Sequence, residues 1–347
     1  MRDGNEKFPC LRTTHTLTIS LNQQVKNNRK YIFFIGIMAL FFVGYLIADN
    51  ILFNGIRPQS ISENGFQANY FVKEDTKSKA TVILIGGGQW GDYWAEQFAK
   101  KEMVGLSIPY TGKEGLPRLP EEIELEYFES AINWLRNQPE VDPNKIVVMG
   151  ASRNAELALV IASTFTESIS GVVAYAPSAV SWSNTVLPYN SNELKSSWKY
   201  KGVDIPYVPM NKIIGNESNK IEMLEYWKRG LAKSDFVIQA AIKVEKINGP
   251  ILLFSGNDDK VWPSSLMADM IEKKLDDNNF KHSFQNIKYD NAGHLISNNP
   301  DDNSSSRNGR IHIDGKDYEY EFGGNDDGDF KAKQDAKMKL IEFLKEL

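Results

Sequence analysis

The sequence predicts an α/β fold in which helices flank a mostly parallel sheet. Short apolar runs at residues 80–85, 104–108, 146–149, 170–175 and 250–254 have the length and composition of buried strands. Helix-forming stretches separate these runs, and such alternation favours right-handed crossovers between parallel strands. Strands that are apolar on both faces also suit a sheet that is covered by helices on both sides.

The composition suits one large globular domain with additional segments. The chain has 347 residues, of which 41% are hydrophobic and 24% are charged. A net charge of −5 gives no basic field, so nucleic acid is not expected as a partner. Cys10 is the only cysteine, which excludes an intramolecular disulfide and a cysteine-based zinc site. No metal or cofactor is expected, and the sequence makes no prediction about the oligomeric state.

An apolar run near the N-terminus predicts one membrane-spanning helix. Residues 31–48 form an uninterrupted apolar stretch of about 18 residues, the lower limit for crossing a bilayer core. Lys26, Arg29 and Lys30 precede the run and Asp49 follows it, so the positive-inside tendency keeps the N-terminus in the cytoplasm.

We therefore expect a cytoplasmic tail over residues 1–30, a signal-anchor over 31–49, a tether over 50–64 and an extracytoplasmic folded domain over 65–347. A cleaved signal peptide is the alternative. It is disfavoured because the run is longer than a usual signal core and Leu46 occupies a position that cleavage reserves for a small residue.

Within the folded domain, residues 65–72 are predicted as a strand near a sheet edge and residues 93–101 and 120–136 as helices. Gly86, Gly87 and Gly88 follow the strand at 80–85, where glycines allow a ligand to approach the backbone closely. A plain flexible turn is the alternative. A phosphate-binding loop is excluded because its glycine spacing and its Lys-Ser/Thr ending are both missing.

Residues 181–248 interrupt the alternating pattern and are predicted to be a lid insertion, with a helical piece near 221–231. Four lysines there would meet an anionic substrate or simply lie on a solvated face: Lys195, Lys199, Lys201 and Lys212.

After the insertion, the strand at 250–254 is followed by a helix at 264–275 and by a last strand at 284–289. Residues 298–308 are predicted as a polar loop and residues 331–344 as the closing helix. Residues 325–329 are rich in aspartate but lack the ligand spacing of a calcium loop, so a solvated turn is expected there.

The segment around Ser152 predicts a nucleophile. A strand ends at Met149, a helix-forming run starts at Ala155, and Ser152 lies in the sharp turn between them. Backbone N–H groups at such a helix start stabilise a developing oxyanion. We expect the N–H of Arg153 to serve as one donor, and Gly88 or Gln89 to supply the second.

Ser152, Asp259 and His294 each follow a predicted strand, and they occur in the triad order of the α/β-hydrolase fold. A serine needs a base to remove its proton, and the base needs a carboxylate to orient it. Asp258 is the alternative acid, with Asp259 favoured by its position before Val-Trp-Pro. The other histidines are predicted to lie on the surface or beyond the membrane: His282, His312 and His15.

Several segments resemble the catalytic domain shared by acyl-CoA thioesterases and bile-acid-CoA:amino-acid N-acyltransferases. They are Tyr110 with residues 114–117, and residues 141–146, 150–159, 172–178, 249–264 and 291–296. The resemblance extends from about residue 65 to the C-terminus. It implies acyl transfer through a covalent acyl-enzyme on Ser152, with His294 as base and Asp259 as its orienter.

The resemblance also has departures that bear on the substrate. The N-acyltransferase branch carries cysteine at the nucleophile position, so Ser152 favours hydrolysis. Asn154 stands where the family has glycine, and an anchor replaces the N-terminal β-sandwich of the animal enzymes. The sequence thus predicts a serine hydrolase for an acyl ester or acyl-CoA thioester. The alternatives are an N-acyltransferase and an inactive binding protein of the same fold.

Overall fold

The computed structural model describes residues 13–53, 56–184, 193–301 and 306–347, and the chain divides into two compact units at Gly55 and Ile56. The strands are β1 (Gln59–Ile61), β2 (Ala68–Phe71), β3 (Lys79–Ile85), β4 (Val104–Ile108), β5 (Ile123–Glu124), β6 (Val141–Ala151), β7 (Gly171–Tyr175), β8 (Trp198–Tyr200), β9 (Val203–Asp204), β10 (Ile251–Gly256), β11 (Phe284–Tyr289), β12 (Asn308–Ile313) and β13 (Lys316–Glu321). The helices are α1 (Thr13–Phe53), α2 (Gly88–Ala99), α3 (Glu126–Leu135), α4 (Arg153–Thr164), α5 (Met223–Leu231), α6 (Ser234–Ala240), α7 (Ser264–Asp277) and α8 (Asp326–Lys345), with a 3₁₀ turn at Val244–Lys246.

The first unit contains the long helix α1. Its segment Arg29–Asp49 has a mean hydropathy of 2.4 and 21 residues, which is long and apolar enough to cross a membrane. Large apolar side chains such as Phe33 and Phe41 are exposed along it. A signal sequence meets the same criteria, so the anchor stays a prediction. Within the predicted tail, residues 13–30 are helical, and residues 1–12 lie outside the described residues.

The second unit is built on an eight-stranded sheet in the order β1-β2-β4-β3-β6-β7-β10-β11. Every neighbouring pair from β4 to β11 is parallel, and the edge strands β1 and β2 pair antiparallel. The predicted α/β fold with a mostly parallel sheet is therefore confirmed.

Helices cover both faces of this sheet, as the strand composition predicts. In β3, Ile83 and Ile85 pack into a core with α3, α4 and α7, while Val82 and Leu84 pack into a second core with α2 and α8. Alternate residues of a strand point to opposite faces, so each face of β3 needs its own apolar cover. Because the central strands are parallel, their carboxyl ends share one edge of the sheet.

The predicted tether over residues 50–64 contains structure that belongs to the folded unit. Gln59–Ile61 form β1, and Ile56 is only 2% exposed because it packs in the same core as Phe71. The strand predicted at 65–72 is shorter, at Ala68–Phe71.

Two predictions for the C-terminal part are wrong. The strand at 284–289 is not the last one, because β12 and β13 form an antiparallel hairpin after it. Asp314 and Gly315 have φ values of 49° and 85° at its turn, the backbone that two-residue hairpins require. The expected solvated turn at 325–329 is instead the start of α8, where Asn325 Oδ1 accepts from Gly328 N at 2.8 Å and Asp329 is buried.

The insertion predicted as a lid is a packed part of the fold wherever it is described; residues 185–192 lie outside the described residues. Trp182, Trp198 and Trp227 are buried in the main core, and β8 pairs with β5 from before the insertion. A lid movement therefore stays a prediction.

The four lysines of the insertion that were candidates for contacting an anionic substrate each have a nearby partner. Lys195 and Lys199 both pair with Glu122, Lys212 pairs with Asp314, and Lys201 lies over the ring of Tyr200.

Candidate active site

Ser152 lies at a strained turn between β6 and α4. Its φ of 57° and ψ of −125° are unusual for a residue with a side chain, and its N–H donates to the carbonyl of Tyr175 at 2.9 Å. The turn is so tight that an ideal Cβ on Gly150 would lie 2.1 Å from the carbonyl oxygen of Asn154. The predicted nucleophile therefore stands at the carboxyl edge of the sheet, where a helix begins.

His294 lies within hydrogen-bonding distance of both Ser152 and Asp259. His294 Nε2 is 2.9 Å from Ser152 Oγ, and His294 Nδ1 is 2.8 Å from Asp259 Oδ2. An ionised carboxylate only accepts, so this geometry places the proton on Nδ1 and leaves the lone pair of Nε2 facing the serine hydroxyl. The ring of Trp262 packs edge-on against the imidazole at 5.9 Å, and His294 is buried.

The carboxylate of Asp259 is buried and held by several donors besides His294. Its Oδ1 accepts from the N–H groups of Val261 and Trp262, and its Oδ2 accepts from Ser264 Oγ at 2.6 Å. These bonds fix the orientation of the carboxylate toward the imidazole and compensate for its removal from water.

The neighbouring Asp258 points elsewhere. Its side chain pairs with Lys260 at 2.7 Å and accepts from the N–H of Gly324 at 2.9 Å. Burial acts to raise the pKa of Asp258, but these two donors outweigh it and hold the pKa below its usual range. Of the two adjacent aspartates, only Asp259 contacts His294 in the described part of the chain.

The segment after the β12–β13 hairpin joins the loop of the acid to the loop of the base. The carbonyl of Phe322 accepts from the N–H of His294 at 2.9 Å and from the N–H of Lys260 at 3.3 Å. Gly323 approaches so closely that an ideal Cβ there would lie 1.8 Å from the carbonyl of Asp258. The sequence analysis did not predict this support, because it assigned no helix or strand to residues 309–324.

Asp329 also supports the histidine loop. It is 3% exposed, its Oδ1 accepts from the N–H of Gly293 at 2.7 Å, and its Oδ2 pairs with Arg307 at 2.8 Å. Gly293 directly precedes His294, so the carboxylate of Asp329 fixes the backbone from which the imidazole projects.

An ion pair between the half-buried Arg153 and the fully buried Glu156 follows Ser152 on α4. The guanidinium of Arg153 pairs with Glu156 and donates to Ser197 Oγ at 2.5 Å, while Glu156 accepts from Trp198 Nε1 at 2.7 Å. Burial raises the pKa of Glu156 above its usual range, although the charge of Arg153 and the indole N–H oppose the rise. The pair ties the start of α4 to the inserted segment.

The backbone groups predicted for an oxyanion stand in the first turns of two helices. Arg153 is the first residue of α4, and Gly88 and Gln89 are the first two residues of α2. N–H groups in a first helical turn have no acceptor within their own helix, so they are available to an anionic oxygen. Their use by a substrate stays a prediction.

The other histidines lie in other parts of the chain. His282 is half-buried and His312 is exposed, and His312 pairs with Asp317 on the hairpin; His15 lies on α1 in the first unit. Among the residues that the structure describes, no cluster of three histidine, cysteine, aspartate or glutamate side chains is arranged to hold a metal ion.

Comparisons with known proteins agree with the fold and identify the family. Residues 123–347 match the family described as BAAT / acyl-CoA thioester hydrolase C terminal. Mouse acyl-coenzyme A thioesterase 2, mitochondrial, is 30% identical over 246 residues, which cover 70% of this chain and 50% of that protein. Mouse acyl-coenzyme A amino acid N-acyltransferase 2 is 27% identical over 246 residues, covering 70% and 55%.

The chain thus spans about half the length of the curated relatives it matches. A solved structure from Klebsiella pneumoniae, whose description assigns it to the dienelactone hydrolases, has a TM-score of 0.50 and 12% identity, and covers 84% of this chain and 99% of that one. That likeness concerns the α/β-hydrolase fold alone. Because the family match runs from β5 through α8, this chain belongs to the BAAT / acyl-CoA thioester hydrolase C-terminal family.

Proposed function

We propose that the protein is a serine hydrolase that cleaves an acyl thioester through an acyl-enzyme on Ser152. The observation that carries the proposal is the pair of contacts made by His294, 2.9 Å to Ser152 Oγ and 2.8 Å to Asp259 Oδ2. A histidine that bridges a serine at a strained strand-to-helix turn and a buried carboxylate has the geometry of nucleophilic catalysis.

In the proposed reaction, Ser152 Oγ attacks the carbonyl carbon while His294 Nε2 takes the hydroxyl proton. Asp259 stabilises the imidazolium that forms, and the N–H of Arg153, with that of Gly88 or Gln89, donates a hydrogen bond to the developing oxyanion. Collapse of the tetrahedral intermediate breaks the carbon–sulfur bond, and the protonated His294 gives its proton to the leaving thiolate sulfur, which departs as a thiol. Water then attacks the acyl-enzyme with His294 again as base, which releases the carboxylic acid.

Family membership supports a thioester as the substrate, and acyl-CoA is the proposed donor. The alternative is transfer of the acyl group to an amine, since one relative is named an N-acyltransferase. A serine rather than a cysteine at position 152 favours water over an amine as the acceptor of the acyl group. An oxygen ester is the alternative donor if α1 anchors an exported domain, because such a domain would not meet cytoplasmic coenzyme A.

The test is turnover of acyl-CoA and p-nitrophenyl esters by the full-length protein in detergent, with labelling by a fluorophosphonate probe. Ser152→Ala should abolish labelling and lower kcat by at least about 10³-fold. Ser163→Ala is the matched control on the same helix, because its hydroxyl bonds to the carbonyl of Val160. Unchanged turnover in Ser152→Ala would contradict the assignment, and an unlabelled wild type that still binds ligand would favour an inactive binding protein.

Two further measurements separate the remaining alternatives. Adding glycine or taurine to the assay yields an amide product only if the protein is an acyltransferase. A reporter fused to the C-terminus tests the proposed single-pass topology, with a cytoplasmic N-terminus and an extracytoplasmic domain. A cytoplasmic reporter signal would instead favour acyl-CoA as the donor.

A further inference from the structure

A cavity of about 530 Å³ lies within the inserted segment and combines apolar walls with basic side chains. Met210, Ile213, Ile221 and Tyr226 contribute the apolar and aromatic part. The charged side chains of the lining are three basic groups and one carboxylate: Lys212, Arg229, Lys233 and Glu222. The size and the mixture of many apolar groups with a few charged ones are typical of a small-molecule site.

Two of the basic groups are not neutralised by acidic neighbours. Lys212 pairs with Asp314 at 3.4 Å. Arg229 Nε bonds to the carbonyl of Glu225 at 3.3 Å and Lys233 Nζ to the carbonyl of Pro209 at 2.5 Å, and neither has a carboxylate within 4.0 Å in the described part of the chain. Two uncompensated cations beside an apolar wall favour an anionic ligand.

A row of packed aromatic rings extends from His294 to the wall of the cavity. Trp262 lies 5.9 Å from the ring of His294, Trp227 lies 5.3 Å from Trp262, and Tyr226 in the cavity wall lies 5.5 Å from Trp227. Burial raises the pKa of Tyr226, and the positive charge of Arg153, the residue after Ser152, opposes that rise. Tyr226 is thus the last member of a series of contacting rings that begins at His294.

We propose that this cavity binds the phosphate-bearing leaving group of the thioester, with Arg229 and Lys233 as its phosphate contacts. This inference rests on the thioester hydrolysis proposed above and assigns residues to a part of the substrate that the serine, histidine and aspartate do not contact. Guanidinium and ammonium groups are the usual partners of phosphate oxygens. A neutral ester would make no use of them.

The first experiment compares two thioesters of the same acyl chain, one of coenzyme A and one of N-acetylcysteamine, which has no phosphate. In the full-length protein, Arg229→Gln and the double variant Arg229→Gln/Lys233→Gln should lower kcat/KM for the coenzyme A thioester about tenfold or more. The N-acetylcysteamine thioester should change less than about twofold, because the chemistry at Ser152 is untouched. An equal loss for both thioesters, or no loss for either, would overturn the inference.

Lys228→Gln is the matched control, because Lys228 lies on the same helix and pairs with Glu225 but does not line the cavity. It should leave the ratio of the two kcat/KM values at the wild-type level. If Lys228→Gln lowered kcat/KM for the coenzyme A thioester as much as Arg229→Gln does, general surface charge, rather than this cavity, would attract the substrate.

A second measurement separates failure of this inference from failure of the proposed function. Coenzyme A itself is titrated into the wild type and into Arg229→Gln by calorimetry, with thermal unfolding as a check on folding. Binding that weakens about tenfold in the folded variant would support the cavity assignment even if no thioester were hydrolysed. Absence of coenzyme A binding to the wild type would overturn it even if the N-acetylcysteamine thioester were cleaved.

Discussion

The side chain of Asn154 occupies the space beside Gly86 that any larger residue at position 86 would need. An ideal Cβ on Gly86 would lie 2.2 Å from Asn154 Nδ2, and Gly86 has a φ of +100°. Asn154 Oδ1 accepts from the hydroxyl of Tyr110 at 2.7 Å, which holds the amide in this position. Gly86 thus provides the room that the side chain of Asn154 requires.

Gly86→Ala should lower the free energy of unfolding by about 1–3 kcal/mol, because the new methyl group collides with the amide of Asn154 and the backbone is left-handed. Adding Asn154→Gly should recover the part that is due to the collision. Urea unfolding of the two single variants and the double variant gives the coupling free energy between the positions.

Gly112→Ala is the control for the backbone contribution, since Gly112 has a φ of +72° and no atom within 4 Å of an ideal Cβ. It should cost only the left-handed strain. If the effects of Gly86→Ala and Asn154→Gly were simply additive, the contact between the two residues would have no energetic weight.

Asp259→Asn should lower kcat for the proposed hydrolysis by on the order of 10⁴-fold, because an amide donor facing His294 Nδ1 favours the wrong tautomer. Asp258→Asn should leave kcat within about threefold, since its partners are Lys260 and the N–H of Gly324 rather than the imidazole. The effects of the two variants are measured as rates of acyl thioester turnover and of fluorophosphonate labelling. Equal losses in the two variants would contradict the separation of their roles.

The central sheet was predictable because its strands are continuous apolar runs. Residues such as Ile83 and Val148 are buried, and both faces of their strands are covered by helices. The strands are therefore apolar at successive positions, and such runs predict buried strands. The β12–β13 hairpin has no such run, because Arg310 and Glu319 alternate with apolar residues on a partly solvated sheet. Asp314-Gly315 between alternating apolar and polar residues is nevertheless a strong hairpin signal, from which this hairpin could have been predicted.

The order of Ser152, Asp259 and His294 was sufficient to predict which side chains would meet, since strands of a parallel sheet end at one edge. Their supporting contacts were not predictable. In the sequence, Glu156 looks like an ordinary charged residue on a solvated helix face. Only the packing of Trp198 against α4 explains why Glu156 is buried. The contact of Asp329 with Gly293 likewise depends on where α8 begins.

Asp329→Asn should lower kcat for the proposed hydrolysis by roughly tenfold while KM changes little, because the Gly293–His294 backbone loses a charged acceptor and the imidazole shifts relative to Ser152. Asp327→Asn is the matched control, being exposed in the same first turn of α8.

The labelling rate of Ser152 by a fluorophosphonate should fall in parallel with kcat, whereas a purely structural role would alter thermal unfolding alone. A variant Asp329→Asn that is less stable yet labels at the wild-type rate would mean that Asp329 supports α8 and not the histidine.

Removal of residues 1–55 should give a protein that is soluble without detergent and has the wild-type kcat toward a soluble thioester. The removed unit carries the exposed apolar side chains of α1 and none of Ser152, Asp259 or His294. Removal of residues 1–64 should instead lower the free energy of unfolding by about 3 kcal/mol, because it also takes away the buried side chain of Ile56 and leaves β2 as an unpaired edge. Urea unfolding of the two truncated proteins measures this difference. Equal stabilities would mean that Ile56 and β1 do not stabilise the folded unit, and that a domain starting at residue 65 is as stable as one starting at residue 56.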